Sequence, residues 1–392
     1  MKHTGNPILP LGSAGEWDDT EAAFAHVFYD GSTYQMWYSG APTDNNYRIG
    51  YAISTDGITW NKNASNPVLS PNNSGNFDNA QVWMPWVLFD GTRYEMWYAG
   101  NVGNGGIGYI TTTDPTDWTR QRTTPVLTGG GSGAWDNSVY GPVVLHIDSL
   151  YQMWYLGLSQ NNLWQIGYAT SMDGVNWSKH PNNPVLAVSA GEWDATAVGV
   201  GSVLFFDGQY HIYYHGTSGD PLSGWEIGYA TSPDGITWTK DTLNNPILTG
   251  APGGWDAINA GFPRVIKDGN RYRMWYTGRA SGSIDRMGYA EEVITGIETS
   301  DGTPPERFEL KQNYPNPFNP ATTITFSLTQ SGFVTLKVYN ILGKAVATLL
   351  EAHKPAGQYA VNFDASGLTS GIYYYTLTAD GLKKSRKMVL LR

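Results

Sequence analysis

The fullest copy of a repeated unit reads Asn245-Pro246-Ile247-Leu248, Gly253-Gly254-Trp255-Asp256, Asp268-Gly269, Met274-Trp275-Tyr276 and Gly288-Tyr289-Ala290. Its Trp-Asp pair recurs at Trp17-Asp18, Trp135-Asp136 and Trp193-Asp194, with Phe77-Asp78 as a variant, at spacings of 58 to 62 residues. A fixed period of this length is typical of repeat architectures, in which each copy is one supersecondary unit. The period is therefore the strongest indication in the sequence that the chain has a repeat architecture.

Each repeat predicts four short strands. The first ends at an Asp-Gly turn such as Asp30-Gly31, and the second reads Tyr34-Gln35-Met36-Trp37-Tyr38 or a close variant. The third reads Ile49-Gly50-Tyr51-Ala52, and the fourth starts at Trp60 and runs into Asn-Pro-Val-Leu. Aromatic and β-branched residues bounded by Asp-Gly turns are typical of hairpins. Four strands repeated radially predict an all-β, five-bladed β-propeller.

The fifth copy lacks its fourth strand, and the chain begins with an unassigned one. No Asp-Gly-x-x-Trp segment follows Ala290, whereas Asn6-Pro7-Ile8-Leu9 matches the end of a fourth strand. We expect this N-terminal strand to complete the fifth blade and close the ring, because closure removes two edge strands. An open solenoid is the alternative, but it needs capping repeats.

Composition limits the partners of the chain. The 392 residues carry a net charge of −10 without a basic stripe in the repeats, which argues against nucleic acid. There is no Cys, so no disulfide or thiolate chemistry is expected. No apolar run reaches the length of a membrane span, and no signal peptide is visible in this sequence. We expect a monomer.

The chain changes character after the repeats. We expect residues 1–292 to form the propeller, 293–307 a linker rich in Gly, Ser, Thr and Pro, and 308–392 a small Ig-like β-sandwich. Its predicted strands are Ile324–Leu328, Val334–Tyr339, Tyr359–Phe363 and Ile372–Leu377. The basic run 383–387 is interpreted as a solvated face.

Residues 308–392 also carry recognisable motifs. These are 313–324 (Asn-Tyr-Pro-Asn-Pro-Phe-Asn-Pro-Ala-Thr-Thr-Ile), 338–343 (Val-Tyr-Asn-Ile-Leu-Gly), 368–374 (Leu-Thr-Ser-Gly-Ile-Tyr-Tyr) and the closing 387–390 (Lys-Met-Val-Leu). The segment resembles the C-terminal sorting domain of the type IX secretion system. That resemblance implies recognition by the secretion machinery and a secreted or outer-membrane surface-anchored protein.

Ligands of propellers usually meet the mouth of the channel, where the innermost strands begin. The strand directions place there Glu21, His26, Gln81, Trp83, Trp86, Tyr140, Thr196, Asn259, Phe262 and Arg264. Loops between second and third strands add Asp44, Arg48, Trp164, Asp220, Trp225, Arg279, Asp285 and Arg286. Aromatic faces beside carboxylates, amides and arginines suit a sugar, because its apolar faces stack while its hydroxyls form hydrogen bonds.

The repeated elements favour structural roles. A residue needed in every copy serves the blade, so the Trp-Asp pairs are interpreted as turn-capping and packing groups. The Ser-x-Asp-Gly-x-x-Trp segments, such as Ser54–Trp60, are interpreted as hairpin turns. His26, His211 and His215 lack metal-ligand spacing, so no metal site is predicted.

The repeats as a whole, over about 6–292, resemble the five-bladed glycoside hydrolases of families 43 and 32 and the related family 130. The resemblance allows a Ca²⁺ in the channel, although no ligand cluster in this sequence indicates one. Family 43 implies one carboxylate in each of the first three blades. Here Trp86 and Tyr140 stand at the second and third of these positions, and Glu21 lies near the first. Glycoside cleavage usually needs an acid and a base or nucleophile. The family's catalytic triad is therefore not carried over.

Three functional hypotheses follow. The leading one is a secreted propeller that binds a glycan or polysaccharide through Gln81, Trp83, Trp86, Tyr140, Trp164, Trp225, Asn259, Phe262 and Arg264. The alternative is a glycoside hydrolase in which Glu21 works with a loop carboxylate, for which Asp44, Asp220 and Asp285 are the candidates. The third is a structural or adhesion module that binds protein.

Overall fold

The computed structural model describes residues 1–43, 46–72, 77–101, 105–268, 271–280, 284–293, 307–330, 332–354, 357–379 and 381–391. Within these ranges the regular structure is all β, with no helix. The chain separates into two compact units, residues 1–266 with 273–291, and residues 267–272 with 292–392.

The described repeats each contain three long strands, and the first four copies add a short fourth one. The first two copies contain β1 (Glu21–Tyr29), β2 (Tyr34–Ala41), β3 (Arg48–Ser54), β4 (Asn61–Lys62), β5 (Trp83–Phe89), β6 (Tyr94–Ala99), β7 (Gly106–Thr112) and β8 (Leu127–Thr128). The next two contain β9 (Ser138–Ile147), β10 (Leu150–Leu158), β11 (Trp164–Ser171), β12 (Ser178–Lys179), β13 (Ala197–Phe206), β14 (Gln209–Thr217), β15 (Glu226–Ser232) and β16 (Thr239–Lys240). The last contains β17 (Asn259–Asp268), β18 (Arg271–Arg279) and β19 (Arg286–Val293).

Strands within a repeat pair antiparallel, and neighbouring repeats also meet edge to edge. β1 pairs in parallel with β19 through Ala22 and Arg286, and β11 pairs in parallel with β13 through Trp164 and Ala197. At these two junctions the first strand of one repeat therefore lies beside the start of the third strand of the preceding copy.

The fourth strand is shorter than the sequence suggests, because an asparagine side chain replaces part of the ladder. The Oδ1 atom of Asn66 accepts the Tyr51 N–H at 2.8 Å, and its Nδ2 donates to the Tyr51 carbonyl at 2.9 Å. Asn183 and Asn245 make the same pair of bonds in their copies. Side-chain amides can satisfy backbone groups in this way where regular pairing stops.

The N-terminal segment makes these contacts for the fifth copy. Asn6 bonds both backbone groups of Tyr289 at 2.8 and 2.9 Å, although the two residues are 283 positions apart in the chain. The Ile8 N–H donates to the Met287 carbonyl at 2.9 Å, and Lys2 forms a β-bridge with Ala290. The orphan strand of the sequence thus lies against β19.

The rim of every repeat carries one buried aspartate between a tyrosine hydroxyl and a cation. In the first copy Tyr38 donates to Asp18 at 2.9 Å, and Lys62 lies 2.6 Å from the same carboxylate. Asp78, Asp136, Asp194 and Asp256 have the same environment, with Arg120, Lys179, Lys240 and Lys2 as the cations. Lys2 therefore supplies to the fifth copy the cation that the fourth strand supplies in the first, third and fourth copies and that Arg120 supplies in the second.

The tryptophans of the Trp-Asp pairs pack closely on glycines, with two glycines each for Trp17, Trp193 and Trp255. A Cβ at Gly40 or Gly50 would lie 2.5 or 2.6 Å from the Trp17 ring. Only glycine allows this approach between ring and backbone. The Trp-Asp pairs thus pack and bond the blades, in agreement with the structural role that their repetition predicts.

The second unit contains two sheets around one apolar core. The strands are β20 (Glu309–Leu310), β21 (Ala321–Leu328), β22 (Gly332–Asn340), β23 (Ala345–Lys354), β24 (Gly357–Asp364), β25 (Gly371–Ala379) and β26 (Leu382–Leu390), in the orders β20-β21-β24 and β23-β22-β25-β26. β20, β23 and β26 are additional to the strands predicted from the sequence. The basic run lies on β26, whose exposed lysines suit a sheet edge because charge discourages further pairing.

Candidate functional site

Bulges interrupt the first, inner strand in the first four repeats. Register shifts occur between Ala23 and His26 in β1 and between Trp83 and Trp86 in β5. Bulges place an extra residue and often occur beside functional sites. Phe24, Met84 and Phe262 hold positive φ there, at 48°, 49° and 49°.

The backbone of two bulge residues is hydrogen-bonded to side chains of another repeat. The Phe24 N–H donates to the Thr277 hydroxyl at 3.0 Å, and the Met84 N–H donates to the Ser39 hydroxyl at 2.9 Å. Bulky residues keep positive φ only where the surroundings enforce it. These bonds between repeats fix the geometry of the inner strands.

Two buried carboxyl groups, Glu21 and Asp285, meet where β1 adjoins β19. The Ala22 N–H donates to the Asp285 carbonyl at 3.2 Å, which holds the two chain segments together. The Tyr47 hydroxyl donates to Glu21 Oε2, and Arg279 Nε lies 3.5 Å from Asp285 Oδ1. Glu21 is 7% exposed and Asp285 4%. Both residues are candidates from the sequence, and the structure brings them together.

Burial raises the pKa of both carboxyl groups. It raises the pKa of Asp285 to about 7, because the Arg279 charge offsets only part of the desolvation and the Glu21 charge adds to it. It also raises the pKa of Glu21, against the Tyr47 hydrogen bond and the Arg279 charge. Paired carboxyls with raised pKa values are typical of functional sites.

An aromatic wall adjoins the carboxyl pair. Tyr47 stacks on Trp83 with ring centroids 5.3 Å apart and planes at 24°. Phe24 packs edge-on against both rings. Tyr47 and Trp83 are half-buried, so each keeps surface for a ligand. The Trp83 N–H already donates to the Gly100 carbonyl at 3.0 Å, which leaves the ring face for stacking.

Trp225 and Asn259 form the other side of the mouth. The Arg279 guanidinium lies 5.5 Å from the Trp225 ring centre and donates to the Leu222 carbonyl at 2.6 Å. Asn259 Oδ1 accepts the N–H groups of Gly224 and Trp225 at 2.7 and 3.3 Å. Asn259 therefore fixes the loop that carries Trp225, while its Nδ2 has no partner among the described residues.

The remaining aromatic candidates are buried, as Trp225 is. Trp86, Tyr140, Trp164 and Phe262 are 6%, 4%, 8% and 3% exposed, and Trp225 is 4% exposed. The Trp86 N–H donates to the Val144 carbonyl at 2.7 Å, and its ring lies 5.2 Å from the Arg264 guanidinium. Among the predicted aromatic candidates, Trp83 therefore keeps the most surface for a ligand.

The other candidates are spread more widely. Asp44 lies outside the described residues. Asp220 is exposed and accepts the Leu222 N–H at 3.0 Å as a turn cap. Gln81 is half-buried, and its N–H donates to Asn101 Oδ1 at 3.0 Å.

Two contributors to the mouth, Tyr47 and Phe24, are absent from the candidates that the sequence predicts. Tyr47 precedes β3 in a loop of unequal length among the repeats, and Phe24 looks like an ordinary strand residue. A signal existed for Phe24, because the equivalent positions 84, 141 and 262 stand beside glycine or proline, which is typical of irregular strands. No comparable signal marks Tyr47.

The described part of the chain lacks two further features. It contains no group of three or more His, Asp or Glu side chains placed to hold a metal ion. No helix in it has the length and apolarity to cross a bilayer.

Comparison with known proteins identifies the fold and the tail. Residues 312–391 match the family described as "Secretion system C-terminal sorting domain". The crystal structure of a thermostable family-43 glycoside hydrolase aligns with a TM-score of 0.54 at 18% identity, over 75% of this chain and 93% of that one. A structure described as "Glycoside hydrolase" aligns with a TM-score of 0.59 at 20% identity, over 72% of this chain and 88% of that one.

A sequence relative is also found among curated proteins. It is the "Uncharacterized protein MT1551" of Mycobacterium tuberculosis (strain CDC 1551 / Oshkosh), 29% identical over 225 residues, which are 54% of this chain and 72% of the relative. The chain therefore combines a propeller fold of the glycoside hydrolase type with a type IX sorting tail. The tail implies a secreted or cell-surface protein.

Proposed function

We propose that this protein is an exported glycan-binding propeller whose ligand contacts the mouth formed by Trp83, Tyr47 and the Glu21–Asp285 pair. The observation that carries the proposal is the half-buried Tyr47–Trp83 stack beside two buried carboxyls, of which Glu21 accepts the Tyr47 hydroxyl and Asp285 pairs with Arg279. A sugar ring needs this combination of an aromatic face and polar groups. The sorting tail and the glycoside hydrolase-type fold support an extracellular carbohydrate ligand.

Glycan-array binding of the purified chain tests this proposal. Trp83→Ala is expected to weaken binding at least ~10-fold, since stacked aromatic anchors often contribute about 2 kcal/mol or more. Phe205→Ala is the matched control, because Phe205 is a 44% exposed aromatic residue at the far end of an inner strand. Glycan binding that is undiminished in Trp83→Ala contradicts the proposal. A wild-type chain that binds proteins but no glycan contradicts it as well.

Glycoside hydrolysis is the second candidate, favoured by the raised pKa values of Glu21 and Asp285. Asp285 is partly protonated near neutral pH, as a general acid must be. In this reaction it gives its proton to the glycosidic oxygen, while Glu21 acts as base toward water or as nucleophile. This pair differs from the family 43 arrangement, because Asp285 comes from the last repeat.

A hydrolysis screen separates the two candidates. Release of reducing sugar that disappears in both Glu21→Gln and Asp285→Asn, but persists in Asp220→Asn, supports catalysis. Binding without release in the wild-type chain supports recognition alone. Activity that persists in Glu21→Gln rejects the proposed pair.

We also propose five blades closed by the N-terminal strand, with the boundaries 1–292, 293–307 and 308–392. The contacts of Asn6 and Lys2 with the fifth copy support this arrangement, as does the bond from Trp275 Nε1 to the Gly57 carbonyl between the last and first copies. Deleting 308–392 should leave a folded, ligand-binding propeller that is no longer exported. An unfolded truncation contradicts these boundaries.

A further inference from the structure

The Tyr47 hydroxyl caps a buried carboxylate at the mouth, because it donates a hydrogen bond to Glu21 Oε2. Glu21 is 7% exposed, whereas Tyr47 is half-buried and keeps part of its surface. The Tyr47 ring is fixed by Trp83, which stacks on it at 5.3 Å, and by Phe24, which packs edge-on at 6.3 Å. A group held in this way needs little reorganisation to react. A ligand at the mouth therefore contacts the phenol more readily than the carboxylate.

The strand register explains how the two side chains meet. Glu21 pairs with Ala41, and Arg48 pairs with Gly40, so Glu21 and Tyr47 lie on either side of the end of β2. Side chains at directly opposed positions share a face of the sheet. The alanine between them is small, which leaves room for the tyrosine ring to reach across the strand.

We infer that Tyr47 is the nucleophile of a retaining glycosidase site, with Glu21 as its base and Asp285 as its acid; this role rests on the second candidate function, hydrolysis. A hydroxyl is a weak nucleophile by itself and is activated by an adjacent base, and a hydrogen bond between the two marks such a pair. A tyrosine nucleophile is a known exception to the two-carboxylate scheme of glycosidases. Glu21 then acts on the phenol and not on water or the sugar.

The reaction has two steps. In the first, Tyr47 Oη attacks the anomeric carbon as Glu21 takes the phenol proton, and the glycosidic bond breaks as Asp285 protonates the leaving oxygen. In the second, water attacks the anomeric carbon and gives a proton to Asp285. The bond between the sugar and Tyr47 breaks as Glu21 returns its proton to the phenol oxygen. Two displacements retain the configuration of the anomeric carbon.

The charges of the site fit these steps. Burial and the Glu21 charge raise the pKa of Tyr47, so it is a phenol at rest and releases its proton only as Glu21 accepts it. Burial raises the pKa of Asp285 to about 7, so this carboxyl is partly protonated near neutral pH. One negative charge passes from Glu21 to Asp285 in the first step and returns in the second. The Arg279 charge acts on both carboxyl groups and balances it in either place.

Tyr47→Phe separates catalysis from binding, because it keeps the aromatic ring and removes the hydroxyl. The substrates are a panel of nitrophenyl glycosides of neutral and acidic sugars, together with any glycan that the array shows to bind. We expect kcat to fall at least ~100-fold, while the affinity for the glycan changes less than about 3-fold. Tyr29→Phe is the matched control and should keep the wild-type kcat, because Tyr29 lies at the other end of β1 and its hydroxyl donates to the Gly31 carbonyl. A smaller fall of kcat in Tyr47→Phe overturns the inference.

Trapping of the intermediate tests the same role in the wild-type chain. The probe is a glycosyl fluoride of the hydrolysed sugar with a second fluorine beside the anomeric carbon, which slows the second step. Peptide mass spectrometry should find the sugar on Tyr47, in a linkage that hydroxylamine does not cleave. A sugar on Glu21, held as an ester that hydroxylamine removes, or inversion at the anomeric carbon contradicts the assignment.

The same experiments separate this role from the glycan-binding proposal. A wild-type chain that binds glycans on the array but hydrolyses neither these nor the panel overturns the nucleophile and leaves the binding proposal standing. A chain that neither binds nor hydrolyses any of them overturns both.

Discussion

The rim and the inner strands of this protein follow opposite rules. At the rim, all five copies bury the same aspartate between a tyrosine hydroxyl and a cation, including the copy whose cation comes from the N-terminus. At the head of the inner strands, register-equivalent positions carry Glu21, Gln81, Ser138, Ala197 and Asn259. Repetition therefore marks what every repeat needs to fold, and divergence marks the positions at which we propose that a ligand is bound.

The carboxyl groups of an exposed hairpin turn and of the mouth also differ. Asp234, in an exposed hairpin turn, accepts the N–H groups of Ile236 and Thr237, and these and its side-chain hydrogen bonds lower its pKa to about 2. Burial raises the pKa of Asp285 at the mouth to about 7. The turn stabilises the charged form of a carboxyl, and the mouth destabilises it.

The largest effect is expected from Asp194→Ala at the rim. The change leaves the Tyr214 hydroxyl buried without its acceptor and the Lys240 amine without its carboxylate, 3.1 and 2.6 Å away. We expect a loss of about 3 kcal/mol in the free energy of unfolding, measured with denaturant. Asp220→Ala, at an exposed turn, is the control, with an expected loss below ~1 kcal/mol. Equal losses of stability in the two variants would show that the rim aspartate contributes no more to folding than an exposed loop aspartate does.

A smaller effect of a different kind is expected from Asp285→Asn. Because the native pKa is raised, the folded state holds a proton that the unfolded chain releases, and wild-type stability falls as pH rises from about 4 to about 7. The variant lacks this loss, so it should gain about 2 kcal/mol over wild type at pH 8 and nothing at pH 4. If the free energies of unfolding of the two proteins changed with pH in parallel, the charged form of Asp285 would not be destabilised in the folded wild-type chain.

Lys2→Met and Lys62→Met sharpen the comparison among the copies. Both amines lie 2.6 Å from a buried rim carboxylate and are 26% and 22% exposed. We expect similar losses of about 1–2 kcal/mol in the free energy of unfolding. An ion pair between a partly exposed amine and a buried carboxylate stabilises the fold only modestly more than a pair on the surface does. If Lys2→Met had no effect, the N-terminal segment would not serve the fifth copy as Lys62 serves the first.

The smallest effect is expected from Asp234→Asn, and its sign is opposite to that of Asp285→Asn. A lowered native pKa gives stability that is present above pH ~4 and is lost as pH falls through about 2. The group is exposed, so solvent screening limits the difference to a few tenths of a kcal/mol near neutral pH. Thermal unfolding at pH 7 and pH 2 should show the gap narrow in acid, and a gap that widens would contradict this assignment.

The sequence predicted the all-β repeats, their strand order and the sorting tail well, since these depend on local patterns. It overestimated the fourth strands, because an asparagine that pairs with backbone looks like strand sequence. It offered Asp285 as one of three possible partners of Glu21, beside Asp44 and Asp220, without a reason to choose among them, and it treated Trp86 and Trp83 as alike. Pairing and depth depend on which strands adjoin, and spacing along the chain does not encode that.

By itself, the sequence determined the unit of architecture, because strands, Asp-Gly turns and the Trp-Asp rim arise within one repeat of about 60 residues. Only the tertiary structure decided which divergent residues meet. Parallel pairing of β1 with β19 brings the first and last repeats together and places Asp285 beside Glu21. The same packing leaves Arg264 buried without a carboxylate partner among the described residues. Burial and neighbouring charge, which set the chemistry of these groups, exist only once strands that are distant in the chain have packed.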